Sequence, residues 1–215
     1  MYRITNGLNS SINNESLFEL LCKQLNNFFF IENDELLILK ELQQAVLERL
    51  AKCIGKVDNK YFKKDGEAFF SPYHSGQYLM FLYFYSNEIA KRGHSELQDK
   101  VYYLNKILHS VDIYGEIALP DVFFLEHPLG TVLGRAKYGN NFFAMQGCTV
   151  GGNKGCYPVI GENVKMYSNS KILGKSNIGN NVLISANCYI KDVDIPDNVT
   201  VFGQSPNLII KNNKS

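Results

Sequence analysis

Neither sign of charge dominates this chain: 22 Lys and Arg stand against 21 Asp and Glu, a formal net charge of +1 over 215 residues. No segment concentrates positive charge densely enough to track a phosphate backbone, so nucleic acid is not an expected partner. Long hydrophobic runs are missing too. The longest, Tyr78 to Tyr85, falls far short of the ~20 residues that span a bilayer, and the polar stretch Met1 to Ser16 has no apolar core of a signal peptide. No transmembrane segment and a cytoplasmic location are the expectation. Cysteine is sparse: residues 22, 53, 148, 156 and 188 form an odd set without a CxxC pair, which speaks against a disulfide framework and for reduced thiols. With 45% hydrophobic residues the chain still has ample material for a core.

What is present is a beat of six. Ile160, Met166, Ile172, Ile178, Ile184 and Ile190 follow one another without a gap. Neither the 3.6-residue period of a helix nor the 2-residue period of a strand produces this spacing. A chain that turns a corner after each short strand does, and such a chain is a parallel β-helix. Four residues after the first five anchors come Val164, Ser170, Ser176, Val182 and Cys188, all small or β-branched. A coil stacked on itself has a narrow interior, where large anchors and small partners share each layer.

The first half obeys another rule. Ser16-x-x-Glu19 reads as a capping box ahead of Leu17, Leu21, Leu25 and Phe28. A second helix begins near Asn33 and ends near Gly55. Residues 59–72 read as a connector, Ser75 to Arg92 as an aromatic, sandwiched helix stopped at Gly93, and Ser95 opens a last helix. The expected fold is α+β: a helical N-terminal domain over 1–110, a parallel β-helix over 111–207, and a polar tail over 208–215 whose last residues, from Lys211, are expected to be disordered. One excursion, Gly152 to Pro158, interrupts the beat, and loops leaving a solenoid wall often carry the binding surface.

Four segments carry a resemblance: Val111-Asp112-Ile113, Glu126-His127-Pro128-Leu129-Gly130, Gln146-Gly147-Cys148-Thr149-Val150-Gly151-Gly152 and Lys171-Ile172-Leu173-Gly174. The region between Tyr73 and Asn207 resembles the serine O-acetyltransferase branch of the bacterial hexapeptide acyltransferases. That resemblance implies a left-handed β-helix of three hexads per coil, assembled as a homotrimer, with pairing of two trimers left open. It also implies acetyl-CoA as co-substrate, bound between neighbouring coils, and no metal. On the matching positions, His127 becomes the general base and Asp112, fifteen residues earlier, the residue that orients it. The pairing is chemically sound, since neutral imidazole takes the proton of an alcohol as it attacks a thioester and a carboxylate stabilises the imidazolium. Pantetheine-lining positions fall on Gly152, Ser168 and Ala186, with Lys191 beside a phosphate and a backbone N–H near Gly151 and Gly152 as oxyanion donor. Lys191 as a solvated corner, and Gly152 and Ala186 as small because coils crowd them, are the competing readings.

The sequence also departs from that family. Where serine acetyltransferases carry Arg-His before the loop proline, this chain has Cys156-Tyr157 before Pro158, and Ser71-Pro72 replaces the Asp-Pro of the helical domain. Glu126 stands where an aspartate is usual, and Tyr114 where a histidine is. Pro72 to Asn87 and Val201 to Asn207 look most like the members associated with surface polysaccharides, whose acceptors are sugar hydroxyls. A neutral Tyr157 suits a pyranose by stacking. The leading expectation is therefore a sugar O-acetyltransferase whose acceptor site draws on Glu126, Tyr157 and His74, with serine O-acetylation as the alternative and a catalytically idle solenoid as a third. His74 as a helix cap is the other reading of that residue. An acyl-cysteine route through Cys148 or Cys156 is disfavoured, because direct transfer needs no covalent intermediate.

Overall fold

The computed structural model describes residues 1–5 and 7–213. It divides into two compact units, one of residues 1–109 with 114–116, the other of 110–113 with 117 onward.

The first unit holds four helices, α1 (Asn14–Phe28), α2 (Asn33–Lys56), α3 (Ser75–Lys91) and α4 (Ser95–His109). Helix α3 is wrapped by α2 and α4 and is buried from Gly76 to Asn87, the sandwiched aromatic helix that its composition predicts. Burying each of its Phe and Leu side chains contributes about 1.5–3 kcal/mol. It ends where Gly93, at φ 78°, takes the left-handed turn that closes the helix. Helix α2 has its capping box one turn earlier than its apolar stripe: the Glu32 N–H donates to Glu35 Oε2 at 2.9 Å. Helix α1 departs from the expected cap. Asn13, not Ser16, stands at the N-cap and accepts from the Ser16 N–H at 2.8 Å, because its backbone is extended and its amide oxygen reaches the first turn.

A second departure is the sheet. Strands β1 (Tyr2–Thr5), β2 (Leu8–Ser10), β3 (Lys63–Lys64) and β4 (Glu67–Phe70) form one sheet in the order β1-β2-β4-β3. The stretch read as a connector is thus a hairpin, turning at Asp65 and Gly66 with φ of 53° and 82°. It anchors through Phe62 and Phe70, which are buried. Residues 114–116 are held to the helices: the Tyr114 hydroxyl donates to Asp99 at 2.8 Å and the Asn87 amide to the Gly115 carbonyl at 2.7 Å. A Cβ on Gly115 would lie 2.5 Å from Ser86 Oγ, so only glycine fits there.

The second unit is a parallel β-solenoid with three walls. Leu125, Ala144, Met166, Ile184 and Val201 stack in one wall. Leu133, Val150, Ile172 and Ile190 stack in the next. Tyr138, Ile160, Ile178 and Ile195 form the third. All six hexad anchors and all five of their small partners are buried, as the six-residue beat predicts. Ile160 to Ile178, Met166 to Ile184 and Ile172 to Ile190 are each eighteen residues apart, three hexads per coil. Tyr138 to Ile160 takes twenty-two, so one coil carries four extra residues (22 − 18), and these are the excursion at Gly152. At one corner Asn141, Asn163, Asn181 and Asn198 all adopt φ of 55–61° and pass side-chain hydrogen bonds of 2.8–2.9 Å from coil to coil. Asparagine tolerates that conformation better than other residues with a Cβ, and here its amide also satisfies itself.

The tail departs from expectation as well. Asn207–Asn212 is a strand paired antiparallel with Val199–Gln204. The polar ends hide the short apolar run Leu208-Ile209-Ile210, whose backbone pairs with Val201, Phe202 and Gly203 of the last coil. The final two residues lie outside the described residues. Among the described residues no helix is long and apolar enough to cross a membrane.

Candidate active site

One corner of the solenoid is built differently from its counterparts. Gly130, Gly147, Asn169 and Asn187 turn successive coils, each with positive φ and each donating its N–H to a carbonyl of the preceding coil at 2.8–2.9 Å. From the last wall residue to the turn is three positions at Ala144 to Gly147, Met166 to Asn169 and Ile184 to Asn187. From Leu125 to Gly130 it is five. Two extra residues push out Glu126-His127-Pro128-Leu129, and His127 stands on this bulge, exposed, in the left-handed conformation at φ 48°. A non-glycine residue held there stores strain that the surroundings must offset. The surroundings are explicit: the Leu129 N–H donates to the His127 carbonyl at 2.8 Å, the Thr131 N–H to the Pro128 carbonyl at 3.1 Å, and the Glu126 N–H to the Ala144 carbonyl at 3.0 Å. Buried Thr131 pins the base through its hydroxyl, which donates to the Met145 carbonyl at 2.8 Å.

Asp112 borders the same bulge. Its N–H donates to the Thr131 carbonyl and its carbonyl accepts from the Leu133 N–H, both at 2.9 Å, and it bridges to Val132. Its neighbours Val111 and Ile113 are buried, which turns half-buried Asp112 toward the outer face. Asp112 is thus paired by its backbone with the Thr131–Leu133 segment that leads out of the bulge carrying His127.

The remaining solenoid candidates sit at the two edges of one wall. Ser168 and Ala186 occupy the corner below His127, in equivalent positions of successive coils, half-buried and exposed respectively. Gly151, Leu173 and Lys191 stack at the opposite edge, where the Lys191 N–H donates to Ser205 Oγ at 3.1 Å. A wall edged by glycine, serine and alanine leaves backbone groups within reach of an extended ligand, and Lys191 puts one cation at its end. That donor set fits an amide-bearing chain ending in phosphates.

The excursion is a small hairpin. Asn153 and Cys156 exchange backbone hydrogen bonds of 2.9 and 3.0 Å around Lys154 and Gly155, whose φ of 50° and 77° define a tight two-residue turn. Tyr157, which follows, lies against Gly152: a Cβ there would come within 2.7 Å of the ring. Tyr157 as a whole remains 47% exposed, so it is held in part by its own loop and faces solvent in part. Lys154 gives this loop a cation that the comparison of Cys156-Tyr157 with Arg-His overlooks.

His74 stands in the helical unit and caps α3, accepting the Gln77 N–H on Nδ1 at 3.3 Å and meeting Phe62 edge-on at 5.4 Å. Burial lowers its pKa, which keeps the ring neutral for that role. Cys148 is inside the coil, its Sγ donating to backbone carbonyls, and is shut off from any substrate. Among the described residues no cluster of three His, Cys, Asp or Glu side chains is placed to hold a metal. Two residues that the sequence reading passed over hold the loop: Asn153 Nδ2 donates to Asp192 Oδ2 at 3.0 Å. The available signal was an Asn before Lys-Gly, a turn former at the foot of a hairpin.

Comparison with known proteins finds likenesses to both the solenoid and the whole fold. Residues 157–192 match the family described as bacterial transferase hexapeptide (six repeats). A serine acetyltransferase of Staphylococcus epidermidis is 34% identical over 113 residues, 50% of this chain and 52% of that protein. The chain thus spans about half the length of the curated relatives it matches. Among solved structures, a serine acetyltransferase in complex with CoA superposes with a TM-score of 0.71 at 18% identity, covering 92% of this chain and 84% of that one. Serine acetyltransferase from Brucella abortus gives 0.69 at 21% identity, covering 94% and 84%. These likenesses establish the fold of the serine acetyltransferases.

Proposed function

We propose that the protein transfers acetyl from acetyl-CoA to a hydroxyl, with L-serine as the acceptor the comparisons favour. The carrying observation is the two-residue bulge that lifts His127 out of an otherwise regular corner, next to the segment with which Asp112 pairs. In this reading His127 takes the hydroxyl proton as the oxygen attacks the thioester carbonyl. The tetrahedral oxyanion then collapses, the carbon–sulfur bond breaks, and the departing thiolate recovers the proton from the imidazolium. Asp112 holds the imidazole tautomer and Glu126 borders the acceptor. Ser168, Ala186 and Lys191 line the co-substrate. A homotrimer and a cytoplasmic location belong to the same reading.

A second reading keeps the chemistry and changes the acceptor to a sugar hydroxyl of a surface glycan or its precursor. It is favoured by one observation, the half-exposed Tyr157 on the loop where an Arg-His pair would grip a carboxylate. Lys154 at the hairpin tip weighs the other way, since it offers a carboxylate one opposite charge.

The experiment is release of free thiol from acetyl-CoA with L-serine and with a panel of nucleotide sugars and glycans. Saturable turnover with serine supports the first reading, turnover with a sugar alone the second, and none with any hydroxyl overturns both. His127→Asn tolerates the left-handed backbone, and we expect it to cut turnover by about a hundredfold to ten-thousandfold. Asp112→Asn slows it as well. Near-normal rates in folded variants would remove both residues from the mechanism.

A further inference from the structure

We infer that Asp192 is a positioning residue that clamps the 152–157 hairpin to the solenoid and so sets where Tyr157 and Lys154 stand; the functional consequence rests on the acyl-transfer reading above. Asp192 lies two coils from the foot of the hairpin by stacking, through Gly151, Leu173 and Lys191, but far from the loop in sequence. The Gly174 N–H donates to the Gly151 carbonyl at 3.0 Å and the Asp192 N–H to the Leu173 carbonyl at 3.2 Å, so Gly174 and Asp192 turn successive coils directly beneath the hairpin's root. Asp192 has φ 55° and Gly174 φ 69°, a conformation that sends the Asp192 carboxylate back across Gly174. One oxygen, Oδ1, accepts the Lys175 N–H at 2.8 Å; the other, Oδ2, accepts the Asn153 side-chain amide at 3.0 Å. Gly174 makes the crossing possible. A Cβ there would collide with Asp192 Oδ1 and lie 2.9 Å from the Asn153 Cβ.

The hairpin has few other holds. Its two reciprocal backbone bonds run between Asn153 and Cys156 and fix only its own shape, and Tyr157 rests on Gly152, which belongs to the same loop. The Asp192–Asn153 bond ties that shape to the wall. A charged acceptor bonded at both oxygens is stronger than a neutral one, which suits a clamp exposed to water. Losing it frees the position of the hairpin and leaves its two reciprocal bonds unbraced, so that they open more often.

The test reads position and function separately. Amide hydrogen exchange at Asn153 and Cys156, with alkylation of the exposed Cys156 thiol, follows the hairpin whether or not an acceptor is known. Asp192→Ala and Asn153→Ala are expected to speed exchange at Cys156 at least tenfold. With the acceptor in hand, they raise its KM about tenfold and leave the KM for acetyl-CoA within twofold. Asp192→Asn restores both, because Asn153 can rotate its amide to accept from the new one. Asn153→Ala keeps ordinary backbone geometry, so it stands as the test if Asp192→Ala fails to fold. Unchanged exchange at Cys156 in Asn153→Ala overturns the clamp. Faster exchange with no change in acceptor KM overturns its role in the acceptor site, and absence of any acceptor leaves the exchange result to decide the clamp alone.

Discussion

The Tyr157 ring rests on the bare Cα of Gly152, close enough that a methyl group at 152 would fall 2.7–2.8 Å from two ring carbons. The loop therefore has a lock whose two halves lie five positions apart, and the lock needs glycine for want of space. Gly152→Ala is expected to drive the ring outward and raise the acceptor KM by about an order of magnitude. Tyr157→Ala removes the obstruction, so the double variant should behave like Tyr157→Ala alone. A double-mutant cycle checks this: contacting residues give non-additive effects of about 0.5–3 kcal/mol. Strict additivity would mean the ring is not held by Gly152.

The walls of the solenoid were legible because their period is local. Each anchor from Ile160 to Ile190 announces its own burial through the six-residue spacing, and the interruption at Gly152 shows as a broken beat. The bulge that carries His127 was not legible in that way. Its two extra residues appear only when Leu125 is set beside Ala144 and Gly130 beside Gly147, a register that pairing across coils defines. Asp192 and Asn153, thirty-nine residues apart, meet for the same reason. The N-terminal sheet escaped because strands of two to four residues, rich in Lys, Asn and Ser, carry no alternation long enough to read. The cap of α1 moved from Ser16 to Asn13 because both residues are good caps, and backbone geometry chose between them.

Inward and outward positions alternate within a single short strand, which gives a test independent of activity. Met166 is fully buried, while its neighbour Lys165 is exposed. Met166→Asp places an unpaired carboxylate in the coil and is expected to cost several kcal/mol. Lys165→Asp should stay within about 0.5 kcal/mol of the parent. The interior does accept hydroxyls that find a partner, as Ser176 does by donating to the Leu173 carbonyl at 2.8 Å. Denaturant unfolding of the two variants checks the phase, and equal losses would mean that the walls are misassigned.

His109 gives the helical unit a pH dependence with a definite sign. It is the last residue of α4, 8% exposed, with Nδ1 2.7 Å from Asn105 Oδ1 and its ring edge-on to Tyr78 at 6.1 Å. A helix C-terminus favours a cation by roughly 0.3–2 kcal/mol, but burial wins here and pushes the pKa down to about 4 from 6.5. The unfolded chain therefore binds a proton below pH 6.5 that the folded chain refuses until about pH 4. The stability that neutral His109 contributes is fully present above pH 6.5 and drains away as the pH falls toward 4, by about 3 kcal/mol at most. His109→Gln keeps a donor for Asn105 and cannot titrate. Chemical denaturation at pH 7, 5.5 and 4 should show the parent losing on the order of 1–3 kcal/mol more than His109→Gln, the shared loss from carboxylates cancelling in the comparison. Parallel pH curves for the two proteins would mean that His109 is not held neutral by its surroundings.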